Sequence, residues 1–359
     1  MRVYLDHNAT SPLRPSVKAA MLSAMDAGGN PSSIHLEGRS ARKVVDDARE
    51  KLAFAIGCLP QMITFTGGGT EANVMALRGV GAQKQVVSAI EHPSVLASAT
   101  GSEVAIVPVD HQGRLKLDAL DQAINGPNVL VSVMLANNET GVIQPVDDIV
   151  RIAKAKGALV HVDAVQAFGK MPVNFGLLGV DMLTVAAHKV GGPKGVGALI
   201  TRDGLAVEPL LHGGGQELRR RAGTENVVAI AGFAALADEP LLDTHDLIDA
   251  LAAGLDDTVI FSNQVARLCN TTCFAQPGLS AETLVMNFDL DGIAVSSGSA
   301  CSSGKVARSH VLDAMGVAPE ISQAAIRVSL GWNTTPRDVE VFLATWKKIS
   351  MRHRARRAA

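Results

Sequence analysis

Three residues have types and settings that suit covalent chemistry. Lys189 follows the apolar run MLTVAA (182–187) and precedes the glycine-rich GGPKGVG. A lysine at a strand end, among glycines and apolar side chains, has its ammonium pKa pulled down and becomes able to act as nucleophile and base. Asp163 lies in HVDAVQ (161–166), a strand-like run in which an unpaired carboxylate is costly and calls for a cationic partner. Cys301 stands at the centre of SSGSACSSG (296–304), where only small residues surround it. That is the composition of a loop and the opposite of a buried structural thiol's surroundings, although a loop cysteine without a role has the same appearance.

Other polar groups recur at the ends of apolar runs. After MITFT (62–66) come Gly67, Gly68, Gly69, Thr70, Glu71, Ala72 and Asn73, opening a helical stretch. Three glycines let the backbone approach an anion, and a helix start offers N–H groups to a phosphate. The segment matches neither a Walker A motif nor G-x-G-x-x-G, and a plain tight turn has the same composition. Glu91-His92-Pro93 follows VVSAI (86–90), and Asn137-Asn138-Glu139 follows VLVSVML (129–135). Any one of these reads as a surface turn. Five strand ends with polar groups at one sheet edge form a ligand site. Pyridoxal phosphate needs this set: a lysine for the Schiff base, an acid facing the pyridinium nitrogen, and an anion cradle. Arg327, in the strand-like AIRVSLG, needs a carboxylate partner if buried.

The elements that must position these residues follow from the apolar pattern. Seven runs, beginning at residues 62, 86, 104, 129, 158, 182 and 195, are continuously apolar, as strands buried on both faces of a parallel sheet are. Between them, Pro145 to Lys156 places Val146, Ile149, Val150 and Ala153 on one helical face. The expected fold is α/β, a large domain with a mostly parallel seven-stranded sheet over residues 15–240. Residues 1–14 and 241–359 form a smaller α+β domain, with strands around TVIF, CNTTCF, GIAVSS and AIRVSL. The N-terminal stretch is too short to fold alone and packs across both.

Composition narrows the function classes. With 47% hydrophobic and 19% charged residues the 359-residue chain is globular, and a net charge of −2 gives no reason to expect nucleic acid. The one basic run, Arg352, Arg354, Arg356 and Arg357, reads as a solvated end or a dock for an acidic partner. No apolar run reaches the roughly 20 residues of a membrane helix, and the start MRVYLDHNAT is no secretory signal. Cys58, Cys269, Cys273 and Cys301 contain no C-x-x-C pair and read as thiols of a reducing compartment, so a cytoplasmic location is expected. Cys269 and Cys273 read as packing residues, with a metal pair as the alternative; no metal is expected.

In order, YLDHNAT, GGGTEAN, EHPSV, NNETGVIQPV, HVDAVQAFGK, HKVGGPKG, RAGTEN, SSGSACSSG and IRVSLG resemble the cysteine desulfurases of the NifS/IscS type. These are class V aminotransferase-like, fold-type-I pyridoxal-phosphate enzymes, and the likeness runs from residue 3 to about 335. The resemblance implies that Lys189 anchors the cofactor, Asp163 pairs with the pyridine nitrogen, and Gln166 and Asn138 hold the phenolic side. It further implies that His92 stacks on the ring and moves protons, including that of the Cys301 thiol. Gly69, Thr70 and His188 would bind the phosphate, with Thr224 contributed by a second subunit of a homodimer. Arg327 and Asn8 would bind the substrate L-cysteine, and Cys301 would take its sulfur for an iron–sulfur scaffold or another acceptor protein. Where many relatives have a phosphate-binding serine, this chain has Ala186; the stretch from Glu239 to Cys269 is short for the family, and Cys269 stands where a proline is common. The competing readings are another class V enzyme (an aminotransferase or a selenocysteine lyase) and a catalytically silent docking scaffold.

Overall fold

The computed structural model describes residues 2–100, 103–298 and 308–358. All seven apolar runs form strands of one sheet: β2 (Ile63–Thr66), β3 (Lys84–Ser88), β4 (Glu103–Val107), β5 (Val129–Met134), β6 (Leu159–Asp163), β7 (Met182–Ala186) and β8 (Gly197–Thr201). Their order is β2-β8-β7-β6-β5-β3-β4. Only β8 runs against its neighbours, so β2 and β7 point the same way on either side of it. The expected mostly parallel sheet is therefore present.

Alternate residues of the strands feed two apolar layers. Val86, Val131, Val160 and Val185 pack with Val45, Leu52 and Ile56 of the helix Leu36–Ile56 and with Phe233 of the helix Val227–Ala234. Val87, Leu130, Met182 and Leu199 face Ala72, Met75 and Ala76 of the helix Gly69–Gly79. Covered on both faces, the sheet leaves its carboxyl edge as the place where polar groups converge.

A second assembly lies beside that edge. Strands β9 (Val259–Ile260), β10 (Thr271–Ala275), β12 (Ser296–Ser297) and β13 (Ala325–Ser329) form an antiparallel sheet in the order β12-β13-β10-β9, and β1 (Val3–Tyr4) pairs in parallel with β11 (Ile293–Ala294). Its core is aromatic: Phe288 and Phe342 stack at 4.9 Å, and Phe274 meets Trp346 edge-on at 5.2 Å. A further apolar cluster, with Ile90 and Met134 at the carboxyl edge of the large sheet, Cys273 of β10, and Val311 and Leu312 of the helix His310–Ala314, joins the two. Cys269 and Cys273 are buried free thiols, and the described residues contain no group of three or more possible metal ligands.

The N-terminal stretch bridges both assemblies. Asp6 bridges to Ser329 of β13, while the Ser11 N–H donates to the His188 carbonyl at 2.8 Å and the Arg14 N–H to that of Gly191 at 2.9 Å. No described helix is long and apolar enough to cross a membrane. Phe274, fully buried between Phe342 and Trp346, is the keystone of the second core. Truncation by Phe274→Ala is expected to cost about 3–5 kcal/mol, read from the urea midpoint of unfolding.

Candidate active site

The carboxyl ends of β2, β3, β5, β6 and β7 open onto one cavity of about 540 Å³. Its lining includes Gly69, Thr70, His92, Asn138, Asp163, Gln166, His188 and Lys189, one or more from each strand end, together with Asn8 and Arg327 from the second assembly. Of the expected site residues that are described, Thr224 is the one that lies elsewhere. It lines a smaller neighbouring cavity of about 190 Å³ behind Gly67 and Gly195. Cys301 falls outside the described residues.

The glycine turn is shaped for an anion. Gly68, the N-cap of the helix Gly69–Gly79, has φ of 146°, a backbone state that L side chains rarely adopt, and open space where a Cβ would stand. A Cβ on Gly69 would come within 2.7 Å of Val165 Cγ2. The first-turn N–H groups of this helix have no carbonyl of their own to bond and lie at the positive end of its dipole. His188, held by Thr10 Oγ1 at 3.3 Å, is kept neutral: burial, then the charges of Lys189, Lys194 and Lys170, lowers its pKa to about 4.

At the opposite wall Asp163 is 5% exposed. Its Oδ2 accepts from Asn73 Nδ2 at 2.7 Å and its Oδ1 from the Val165 N–H at 2.9 Å. Asn73 Nδ2 also donates to Ser94 Oγ at 2.9 Å, and Ser94 Oγ lies 2.7 Å from His92 Nδ1. The Ser94 N–H donates to that same nitrogen at 3.1 Å, so Nδ1 is an acceptor and the neutral ring carries its proton on Nε2. Burial pushes the His92 pKa down more than Asp163 raises it, with Lys189 and His310 pushing the same way as burial. The ring is neutral at physiological pH. Taking up a thiol proton at Nε2 requires the tautomer to switch, at the cost of the Ser94 N–H bond, about 1 kcal/mol.

Lys189 Nζ donates to the main-chain oxygens of Asn8 at 2.8 Å and Ala9 at 3.0 Å. Gln166 Nε2 donates to the same Asn8 oxygen at 3.0 Å. Arg327 is 1% exposed, pairs with Asp6 Oδ1 at 2.8 Å and donates to the Asn138 carbonyl at 3.0 Å. The carboxylate partner expected for a buried guanidinium is thus Asp6. Two polar atoms at this wall, Arg327 Nε and Asn138 Oδ1, are buried with no protein partner.

These features fit a flat, acidic-oxygen-bearing phosphate ester: an anion cradle, a buried carboxylate across from it, a lysine between, and unsatisfied polar atoms on the substrate side. Asn73, Ser94 and Asp6 are functional neighbours that the pattern reading did not assign. Asn73 was in view within GGGTEAN, one helical turn past Gly69, but nothing local tells that it faces Asp163.

The family profile "Aminotransferase class-V" matches residues 3–342. The chain belongs to this family. Among curated relatives, a "Cysteine desulfurase IscS" of Dictyoglomus turgidum is 40% identical over 370 residues, spanning 97% of this chain and 94% of its own. The structure of a NifS-like protein from Rickettsia africae superposes with a TM-score of 0.91 at 38% identity, covering 98% of this chain and 99% of that one. A structure titled "SspA in complex with cysteine" superposes at 0.82 with 30% identity, covering 91% and 98%. The fold-type-I architecture expected from the motifs is that of these class-V relatives.

One buried acid outside the cavity gives the site a pH signature. Glu139, which accepts from Ser309 Oγ, has its pKa raised from 4.5 to about 7, chiefly by burial. Folded protein then binds more protons than unfolded protein between these values, so stability falls as pH rises through the window. Relative to Glu139→Gln, the wild type is expected to lose about 1–3 kcal/mol between about pH 5 and pH 8 in urea titrations. A difference between the two proteins that stays flat with pH would contradict this.

Proposed function

We propose that the chain is a cysteine desulfurase that converts L-cysteine to L-alanine and leaves the sulfur as a persulfide on Cys301. The observation that carries this reading is the single cavity joining Lys189, Asp163, Gln166 and His92 to a helix N-terminus and to Arg327. The cofactor that this set would hold is pyridoxal 5′-phosphate. Gly69, Thr70 and His188 would take its phosphate, Asp163 its ring nitrogen, Gln166 and Asn138 its phenolic side, and Lys189 its covalent attachment. When bound, it supplies an electron sink that makes the substrate Cα–H acidic.

The remaining work belongs to the chain. Arg327, which lines the cavity, grips the substrate carboxylate, with Asn8 close by. Lys189 Nζ takes the Cα proton. The Cys301 thiolate attacks the substrate sulfur: a sulfur–sulfur bond forms, the Cβ–S bond breaks, and the electron pair released to carbon is protonated to give the methyl group of alanine. The two thiol sulfurs are oxidised to the persulfide and the carbon is reduced, so no outside oxidant is needed. His92 moves the thiol proton.

The described residues on either side of the stretch that contains Cys301 lie beside this cavity. On one side Ser296 pairs with Arg327 in register; on the other, His310 Nε2 lies 2.9 Å from the carbonyl oxygen of Glu91, next to His92. The chain works as a homodimer in which Thr224 of one subunit reaches the phosphate of the other, as its place outside its own subunit's main cavity supports. It resides in the cytoplasm and passes sulfur to an iron–sulfur scaffold or another acceptor protein.

A visible band at about 390–420 nm that changes on adding L-cysteine, with alanine and sulfide released in step, is the expected outcome for purified protein. Lys189→Ala abolishes turnover and the covalent band. Cys301→Ala keeps the band and loses sulfide release by about 100-fold or more, as removal of a covalent nucleophile does. An aminotransferase would keep its turnover in Cys301→Ala, and a protein that shows no band after reconstitution is not a pyridoxal-phosphate enzyme.

A further inference from the structure

Lys170 lies behind the cavity wall, 4% exposed, with no role in the chemistry described above. Its Nζ donates to two neutral amide oxygens, Gln166 Oε1 at 2.7 Å and Asn8 Oδ1 at 2.8 Å. A lysine nitrogen, charged or neutral, has hydrogens enough for both bonds, and as an ammonium it has only donors. Each amide is therefore oriented. With its oxygen turned to Lys170, Gln166 must turn its NH₂ towards the Asn8 carbonyl and the cavity, where Nε2 makes its 3.0 Å bond. With its oxygen taken by Lys170 and by Asn270 Nδ2 at 3.1 Å, Asn8 must turn its NH₂ to Thr271 Oγ1 at 2.8 Å and the Asn138 carbonyl.

We infer that Lys170 is a positioning residue, which fixes the amide of Gln166 so that a hydrogen-bond donor, not an acceptor, faces the oxygen-bearing edge of the ligand held by Lys189. The alternative orientation would point Gln166 Oε1 at the Asn8 carbonyl and at an anionic ligand oxygen, two like-charged contacts in a dry site. The Asn8 carbonyl, which can only accept, demands the same end of the amide, so Lys170 and Asn8 O hold it from its two sides. Burial and the nearby charges of Lys189 and Arg327 push the Lys170 pKa well down, which the geometry tolerates since the neutral amine still donates twice. This inference rests on the pyridoxal-phosphate reading, and the test separates the two.

The test is a pH titration of the visible band in reconstituted holoenzyme, for wild type, Lys170→Met, Gln166→Leu and the double variant. A donor to the ring oxygen favours the deprotonated imine, so its loss is expected to raise the titration midpoint by about one pH unit, a tenfold change in the equilibrium. Lys170→Met should shift it in the same direction as Gln166→Leu, and the double variant no further than Gln166→Leu alone. An unmoved midpoint in Lys170→Met, or shifts that add in the double variant, as a through-space charge effect would give, overturns the proposal. A wild type with no band at all defeats the cofactor reading instead. If Lys170→Met does not fold, a wild-type crystal structure at about 1.2 Å or better, where hydrogens become visible, reads the amide directly. Gln166 oxygen towards Lys170 is expected; nitrogen towards Lys170 overturns the inference.

Discussion

The segment from Asp6 to Thr10 supplies the constraint on which the site depends. Lys189, Lys170 and Arg327 bring three basic side chains to one poorly solvated wall, and the two lysines are bonded to neutral dipoles. The Asn8 carbonyl receives Lys189 and Gln166, the Asn8 amide oxygen receives Lys170 and Asn270, and the Ala9 carbonyl receives Lys189 again. Asp6 is the one carboxylate in this segment, and it pairs with Arg327. Removing charges from water is costly unless each is hydrogen-bonded. A stretch with almost no regular structure thus makes the wall between the two sheets tenable. The same residues set the distance between the lysine on one sheet and the arginine on the other.

Much of this was legible in the sequence, for identifiable reasons. The seven strands show because both faces are buried, which leaves runs with few polar interruptions. Their boundaries blur where a polar residue is buried by a specific partner. β3 begins at Lys84 and Gln85, two residues before the apolar run, because Lys84 reaches Asn125 and Gln85 reaches the Leu77 carbonyl. Lys189 and Asp163 stand out because a charged residue at the end of such a run has few structural excuses. Asp6, Ser94 and Lys170 do not stand out. Their partners are distant or turn on side-chain direction: Asp6 meets Arg327 across 321 positions, and no local pattern encodes that meeting. The role proposed for Thr224 comes only through resemblance, since no spacing in one chain reports what a second chain would contribute.

The electrostatics of the inner wall turn on which acid keeps its charge. Glu91 is completely buried, and its pKa is raised well above 4.5, first by that burial and further by the negative charge of Asp163. One of its oxygens accepts from the Met134 N–H at 2.8 Å, and the other has no partner. Two carboxylates in one poorly solvated region do not both ionise readily. Asp163 has an Asn73 amide and a main-chain N–H to hold its two oxygens, whereas the hydrogen bonds of Glu91 from the Met134 N–H and the Ser88 side chain do not offset its burial. Glu91, behind the cavity-facing Asp163, is thereby pushed towards its neutral form. Asp163 also heads a chain of contacts through Asn73 and Ser94 to His92. Asn73 turns its NH₂ to the carboxylate at the head of the chain, so the His92 ring is tied through Ser94 to the acid proposed to hold the cofactor's nitrogen.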